Sequence, residues 1–158
     1  MAERLRIELL ADHPDTLETV ASWEKAEWGH LMPTVSLQQI TNAFAKRANR
    51  DRIPMTLLGY LDTELVGTVS LVAHDMDGRE DLSPWLAIMY VKPAQRRQGF
   101  GSQLVGAAMH RARSLGIDTL YLFTPDQMAF YERCGWQVDE VMNYRGERVS
   151  IMSCRLNA

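Results

Sequence analysis

A chain of 158 residues, 46% hydrophobic and 23% charged, is long enough to bury its own core and too apolar to stay disordered. Its net charge of −3 excludes the broad basic footprint of a general nucleic-acid binder, and its two cysteines, with no Cys-x-x-Cys pair, exclude a disulfide framework or a zinc motif. No apolar run approaches the ~20 residues of a membrane span and residues 1–6 carry no apolar signal segment, so the expectation is a cytoplasmic protein that binds neither membrane nor nucleic acid, with one domain over 1–158 and no metal.

Leu5, Ile7 and Leu9 alternate with polar residues, which predicts a first strand. His13-Pro14-Asp15 opens a helix with Leu17, Val20, Ala21, Glu24 and Trp28 on one face, ended by Gly29 and Pro33. Ser36 and Gln39 form a capping box for a second helix running to about Arg47. Residues Met55 to Leu61 and Glu64 to Ala73 read as a hairpin turning at Asp62-Thr63, and a polar loop, His74 to Ser83, follows. Trp85 to Val91 is a nearly continuous apolar run, a strand covered on both faces.

From Gly99 the period becomes helical: Gly101, Leu104, Val105, Ala108, Ala112 and Leu115 make one stripe, and Gly116 stops it. Thr119 to Phe123 is a short strand, and Thr124-Pro125-Asp126-Gln127 predicts a capped helix with Pro at its first position, ending at Gly135. Trp136 to Asp139 and Arg148 to Arg155 read as two closing strands. Strands and helices alternating in this way describe one α/β domain.

Charge is segregated along the chain. Between Asp81 and Asp118 there is no acidic residue, although the chain holds 20, while Lys92, Arg96, Arg97, Arg111 and Arg113 all fall there. At the centre lies Arg96-Arg97-Gln98-Gly99-Phe100-Gly101, between a strand and a helix. A helix N-terminus offers unpaired N–H groups to an anion, glycines let the backbone approach it, and arginines add charge-assisted bonds. Taken alone, the turn reads equally well as a tight connection with solvated arginines. A P-loop string is absent. A dinucleotide fingerprint would need a third glycine where Leu104 stands, although Asp126 could supply its acid.

Val91-x-Pro93-x-x-Arg96-x-x-Gly99-x-Gly101-x-x-Leu104 resembles motif A of the GNAT N-acetyltransferases. Phe130-Tyr131-Glu132-Arg133-x-Gly135-Trp136 resembles their second signature, in order and at the family's spacing. The resemblance is good over about Val66 to Trp136 and covers the N-terminal third only by element order. It implies a mixed sheet of about seven strands, splayed between Met89-Val91 and Thr119-Phe123, with about four helices. It also implies an acetyl-CoA-dependent enzyme.

On the same basis Arg96 and the segment from Arg97 through Gln98, Gly99, Phe100 and Gly101 to Ser102 would hold the coenzyme A pyrophosphate. Met89, Tyr90 and Val91 would bond the pantetheine arm and polarise the thioester carbonyl, and Tyr131 would protonate the departing thiolate. One departure stands out: members with a glutamate base on the central strand carry it where this chain has Trp85, and no acid occurs from Trp85 to Val91.

For the acceptor, an amine of unidentified structure, the candidates are Glu24, Glu27, Trp28 and His30 near the end of the first helix, and Asp75, Asp77, Glu80 and Asp81 before Trp85. Of these Glu27, Trp28, Asp81 and Trp85 are the expected contacts, since carboxylates beside an aromatic suit a cation. Against this, Trp28 lies on an apolar stripe and Asp75-Met76-Asp77-Gly78 reads as an exposed turn. His30 and His74 lack a metal-ligand pattern, and Cys134 reads as packing, which leaves direct attack of amine on thioester. Two other functions are carried: a non-catalytic acyl-CoA-binding regulatory module, and a dinucleotide-binding enzyme. Aminoglycosides, polyamines and amino acids fit an amine groove, and Asp126-Gln127-x-x-Phe130-Tyr131 keeps peptide N-termini in view. Family members often dimerise, so a homodimer is admitted.

Overall fold

The protein is described by a computed structural model over residues 3–157, so positions 1, 2 and 158 of the expected domain lie outside the described residues. Seven strands form one mixed sheet in the order β1-β2-β3-β4-β5-β7-β6. They are β1 (Arg6–Leu9), β2 (Met55–Leu61), β3 (Glu64–Val72), β4 (Trp85–Val91), β5 (Thr119–Thr124), β6 (Gln137–Tyr144) and β7 (Glu147–Arg155). Four α-helices accompany them: α1 (Leu17–Trp28), α2 (Leu37–Ala45), α3 (Phe100–Ser114) and α4 (Met128–Arg133).

The capping box holds as read: Ser36 Oγ accepts from the Gln39 amide and the Gln39 side chain accepts from the Ser36 amide. The hairpin turns at Asp62-Thr63, closing on a Leu61–Glu64 pair. Two boundaries differ from expectation. The first helix begins only at Leu17, because Pro14–Thr16 forms a tighter 3₁₀ turn in which Thr16 Oγ1 bonds the His13 carbonyl at 2.7 Å. The last helix begins at Met128 rather than at Pro125, because Thr124 is still paired with Ser150 in the sheet. Its hydroxyl nevertheless accepts from the Gln127 amide at 3.0 Å. β6 also extends to Tyr144, carried past the apolar signal by its ladder with β7.

The two faces of the sheet bury different helices. Leu58 and Tyr60 pack with Leu10, Val20, Ala21, Ile40 and Phe44 under α1 and α2. Leu57, Val66 and Val69 pack with Phe100, Leu104, Val105 and Ala108 of α3, as the helical stripe predicted. The second face is close-packed at Gly67. A β-carbon there would lie 2.7 Å from the Tyr90 carbonyl oxygen and 2.8 Å from Leu104 Cδ1. One of these neighbours is backbone, so β4 itself would have to move. Gly67→Ala is therefore expected to lower stability by about 1–3 kcal/mol. Urea denaturation of the purified variant checks this, with an unchanged midpoint as the contrary result.

Candidate active site

The sheet opens at one place. β4 and β5 run parallel and pair only at Trp85–Tyr121, where the Tyr121 amide also donates to the Pro84 carbonyl at 3.1 Å. Beyond that point the strands part. Two rings hold the closed end: Trp85 is fully buried, with Tyr121 and Phe123 each 6.1 Å away between centroids. Trp85 thus stands in the core, its Nε1 donating to the Leu82 carbonyl at 2.7 Å, and the structure leaves it out of any acceptor surface.

At the open end β4 carries a bulge. Ala87 pairs with Ser70 and Tyr90 with Thr68, so Ile88 and Met89 together oppose Val69. Ile88 sits at φ +52°, a conformation that costs a β-branched residue strain of about 1–3 kcal/mol. These two are also the only half-buried residues in an otherwise buried strand. No sequence signal announces the bulge, because isoleucine is among the residues least suited to positive φ.

Below the bulge, β4 leads through Pro93–Gln95 into the glycine turn and α3. Arg97 at φ +65° and Gly99 at φ +85° turn the chain, so α3 begins on exposed backbone with no side-chain cap. Its first-turn amides are left for an outside acceptor, as an anion site requires. Arg96 braces the turn: its Nε donates to the Val91 carbonyl at 2.8 Å, and its guanidinium lies 5.3 Å over the Tyr90 ring. Two of the other cations of the acid-free stretch are engaged elsewhere. Lys92 pairs with Glu64 at 2.9 Å, Arg113 donates to the Leu156 carbonyl at 2.8 Å, and Arg111 stands in the last turn of α3.

Tyr131 is buried on α4, 5.0 Å from the Phe130 ring and 6.1 Å from that of Trp136. Burial pushes its phenol well above the ordinary tyrosine range, with nearby Cys134 adding to the effect, so it remains a proton donor at neutral pH. Gly101 joins the two sides of the gap. A β-carbon on it would lie 3.3 Å from Phe130 Cζ and 3.4 Å from Met89 Cε.

The remaining candidates separate. Trp28 is half-buried, its ring edge-on to Tyr90 at 6.4 Å, while Trp23 stacks on Tyr90 at 5.2 Å. Glu27 is exposed, 3.8 Å from Arg96 Nη2, and so faces the glycine turn. Asp81 is drawn outward by Arg79, which grips both its oxygens at 3.1 and 3.2 Å and also holds Glu140. Those bonds keep the Asp81 carboxyl below its usual range. Asp75, expected on an exposed turn, is half-buried instead. Among the described residues no His, Cys, Asp and Glu side chains gather closely enough to hold a metal, and no helix is long and apolar enough to cross a membrane.

The sequence matches the acetyltransferase (GNAT) family over residues 10–136. The chain belongs to that family. An uncharacterised N-acetyltransferase of Bacillus subtilis, YvbK, is 34% identical over 55 residues, a match spanning 32% of this chain and 36% of that relative. Among solved structures, an aminoglycoside 6′-N-acetyltransferase complexed with coenzyme A superposes with a TM-score of 0.73 at 17% identity, covering 97% of this chain and 98% of that one. The spermidine N-acetyltransferase of Vibrio cholerae, in complex with coenzyme A and spermine, gives 0.73 at 18% identity, covering 97% and 96%. The splayed seven-stranded sheet is thus the GNAT fold.

The burial of Tyr131 has a spectroscopic consequence. Because its folded value lies above the unfolded one, its contribution to stability is complete below about pH 10 and is lost as pH rises further. The ultraviolet titration of the folded protein below about pH 10 should therefore be the same in wild type and Tyr131→Phe. A missing tyrosinate step in the variant would mean that the phenol is accessible.

Proposed function

We propose that this domain transfers an acetyl group from acetyl-CoA to a primary amine by direct attack on the thioester. The observation that carries the reading is the parting of β4 and β5 directly above the uncapped start of α3, which supplies a slot for an extended chain and an anion site at its end. The family's relatives act on such acceptors, since an aminoglycoside and spermidine both present primary amines.

In this reading the amides from Arg97 to Ser102 take the pyrophosphate, with Arg96 bracing them. The free edge of Met89, Tyr90 and Val91 bonds the pantetheine arm. An amide at the Ile88–Met89 bulge polarises the thioester carbonyl, a preorganised donor that needs no movement during reaction. As the amine nitrogen bonds to the acetyl carbon the carbon–sulfur bond breaks, and Tyr131 gives its proton to the thiolate. Its burial keeps that proton in place until a charge develops nearby. The absence of acids from Trp85 to Val91 means that the amine's proton leaves by another route.

Two variants test the reading. Gly101→Leu should fold yet lose affinity for acetyl-CoA, because its side chain would run into Phe130 and Met89 and fill the gap. Unchanged affinity would place the coenzyme elsewhere. Tyr131→Phe should lower thiol release in the presence of amines by about a hundredfold while acetyl-CoA affinity is kept. Equal turnover would remove Tyr131 from the chemistry. Binding of acetyl-CoA with no transfer to any amine would favour a regulatory acyl-CoA-binding module instead.

A further inference from the structure

α1 reaches the end of β4 through two side chains four residues apart, Trp23 and Glu27, which helical spacing puts on one face. Trp23 stacks on the Tyr90 ring at 5.2 Å between centroids, and Glu27 Oε2 stands 3.8 Å from Arg96 Nη2. Tyr90 and Arg96 themselves belong together, the guanidinium lying 5.3 Å over the ring. Trp28, edge-on to Tyr90 at 6.4 Å, completes the group. Measured contacts thus run without a break from α1 to the residue that opens the glycine turn.

Arg96 has three anchors in this group. Its Nε donates to the Val91 carbonyl at 2.8 Å, its face lies on Tyr90, and one arm of its fork points at Glu27. A guanidinium carries its donors in fixed directions, so arms aimed at β4 and α1 are not aimed at an anion over α3. The Glu27 carboxylate beside it also offsets part of the charge that a phosphate would otherwise meet.

What these anchors hold is the residue before a strained one. Arg97 sits at φ +65°, in the left-handed region that side chains rarely enter, and such a conformation persists only where the surroundings over-determine it. The turn supplies little of that itself. Arg96 to Gly99 are all exposed, and a β-carbon on Gly99 would meet nothing within 4 Å. Gln98 Nε2 donates to Gln95 Oε1 at 3.2 Å, an exposed bond that stays within the turn. Beyond it the Gly99 carbonyl accepts from the Gln103 amide at 3.2 Å, closing the first turn of α3.

We propose that Glu27 is a positioning residue for the coenzyme. Together with Trp23 it holds the Tyr90–Arg96 pair, which keeps the amides from Arg97 to Ser102 aimed at the pyrophosphate, and Arg96 serves the turn in place of binding the phosphates itself. The inference rests on the acyl-transfer reading above. It moves Glu27, expected from the sequence among the acceptor contacts, to the coenzyme side of the site. The sign of one substitution separates this role from plain electrostatics. Glu27 is a negative charge near the place of an anionic ligand, so if charge alone mattered its neutralisation would tighten acetyl-CoA binding. If Glu27 works by holding Arg96, neutralisation slackens the turn and binding weakens.

Calorimetry with acetyl-CoA on the full chain makes the test. Glu27→Gln should bind about threefold more weakly than wild type, the scale of an exposed ion pair, and should raise KM for acetyl-CoA to match with kcat little changed. The side chain is exposed, so the variant should melt close to wild type. Arg96→Gln should lose about tenfold, since it also gives up the bond to Val91. Adding Glu27→Gln to it should then change nothing further, because the carboxylate has no guanidinium left to hold. Unchanged or tighter binding by Glu27→Gln, or an equal further loss in the double variant, overturns the proposal. If Arg96→Gln does not fold, the sign of the single Glu27 variant decides alone. Failure of the wild type to bind acetyl-CoA would strike the acyl-transfer reading instead. The hold on the turn is then read in the protein by itself: exchange of the Gln103 amide should quicken in Glu27→Gln, and unchanged exchange would overturn it.

Discussion

Two parallel strands that separate after a single pairing leave backbone donors and acceptors facing a gap, and such groups are rarely left without partners. Here β4 and β5 are pinned at Trp85–Tyr121 by buried rings and then diverge around Met89, Phe130 and Gly101. The bulge at Ile88 bends β4 and re-aims its amides at the place where they are free. The rest of the molecule is arranged about that opening. α3 starts at its lower end, α4 brings Tyr131 to its side, and α1 lays Trp23 and Trp28 across Tyr90 above it.

The charge distribution follows the same division. On one side the stretch without acids ends in exposed α3 amides, with Arg96 held in place by the Val91 carbonyl and the Tyr90 ring. On the other, Glu24 of α1 is buried 3.6 Å from Arg47, which follows α2. Folding that tolerates a strained isoleucine at the bulge keeps it at the expense of stability, which is the pattern expected of a working site.

Much of this was legible in the chain. The Ser36–Gln39 box, the Asp62-Thr63 turn and the left-handed Gly99 and Gly116 are local devices whose chemistry depends on a few neighbouring residues. The family motifs likewise lie within short segments. What was not legible depends on distant partners. Trp85 looked available because its strand neighbours are apolar, yet Tyr121 and Phe123 enclose it. Asp81 looked like a groove carboxylate, and only Arg79's second hold on Glu140 of β6 shows where it is tied. Asp75 read as a surface turn, yet it is half-buried, and nothing in its own segment announces that.

Amide hydrogen exchange, with and without coenzyme A, tests the central claim most directly. If the parted strands hold the coenzyme, exchange should slow along Ile88–Val91 and along Arg97–Ser102 together, with little change on β1 or at the closed end near Trp85. Slowing confined to other segments, or none at either stretch under saturating coenzyme A, would contradict the account and leave the gap as a feature of packing alone.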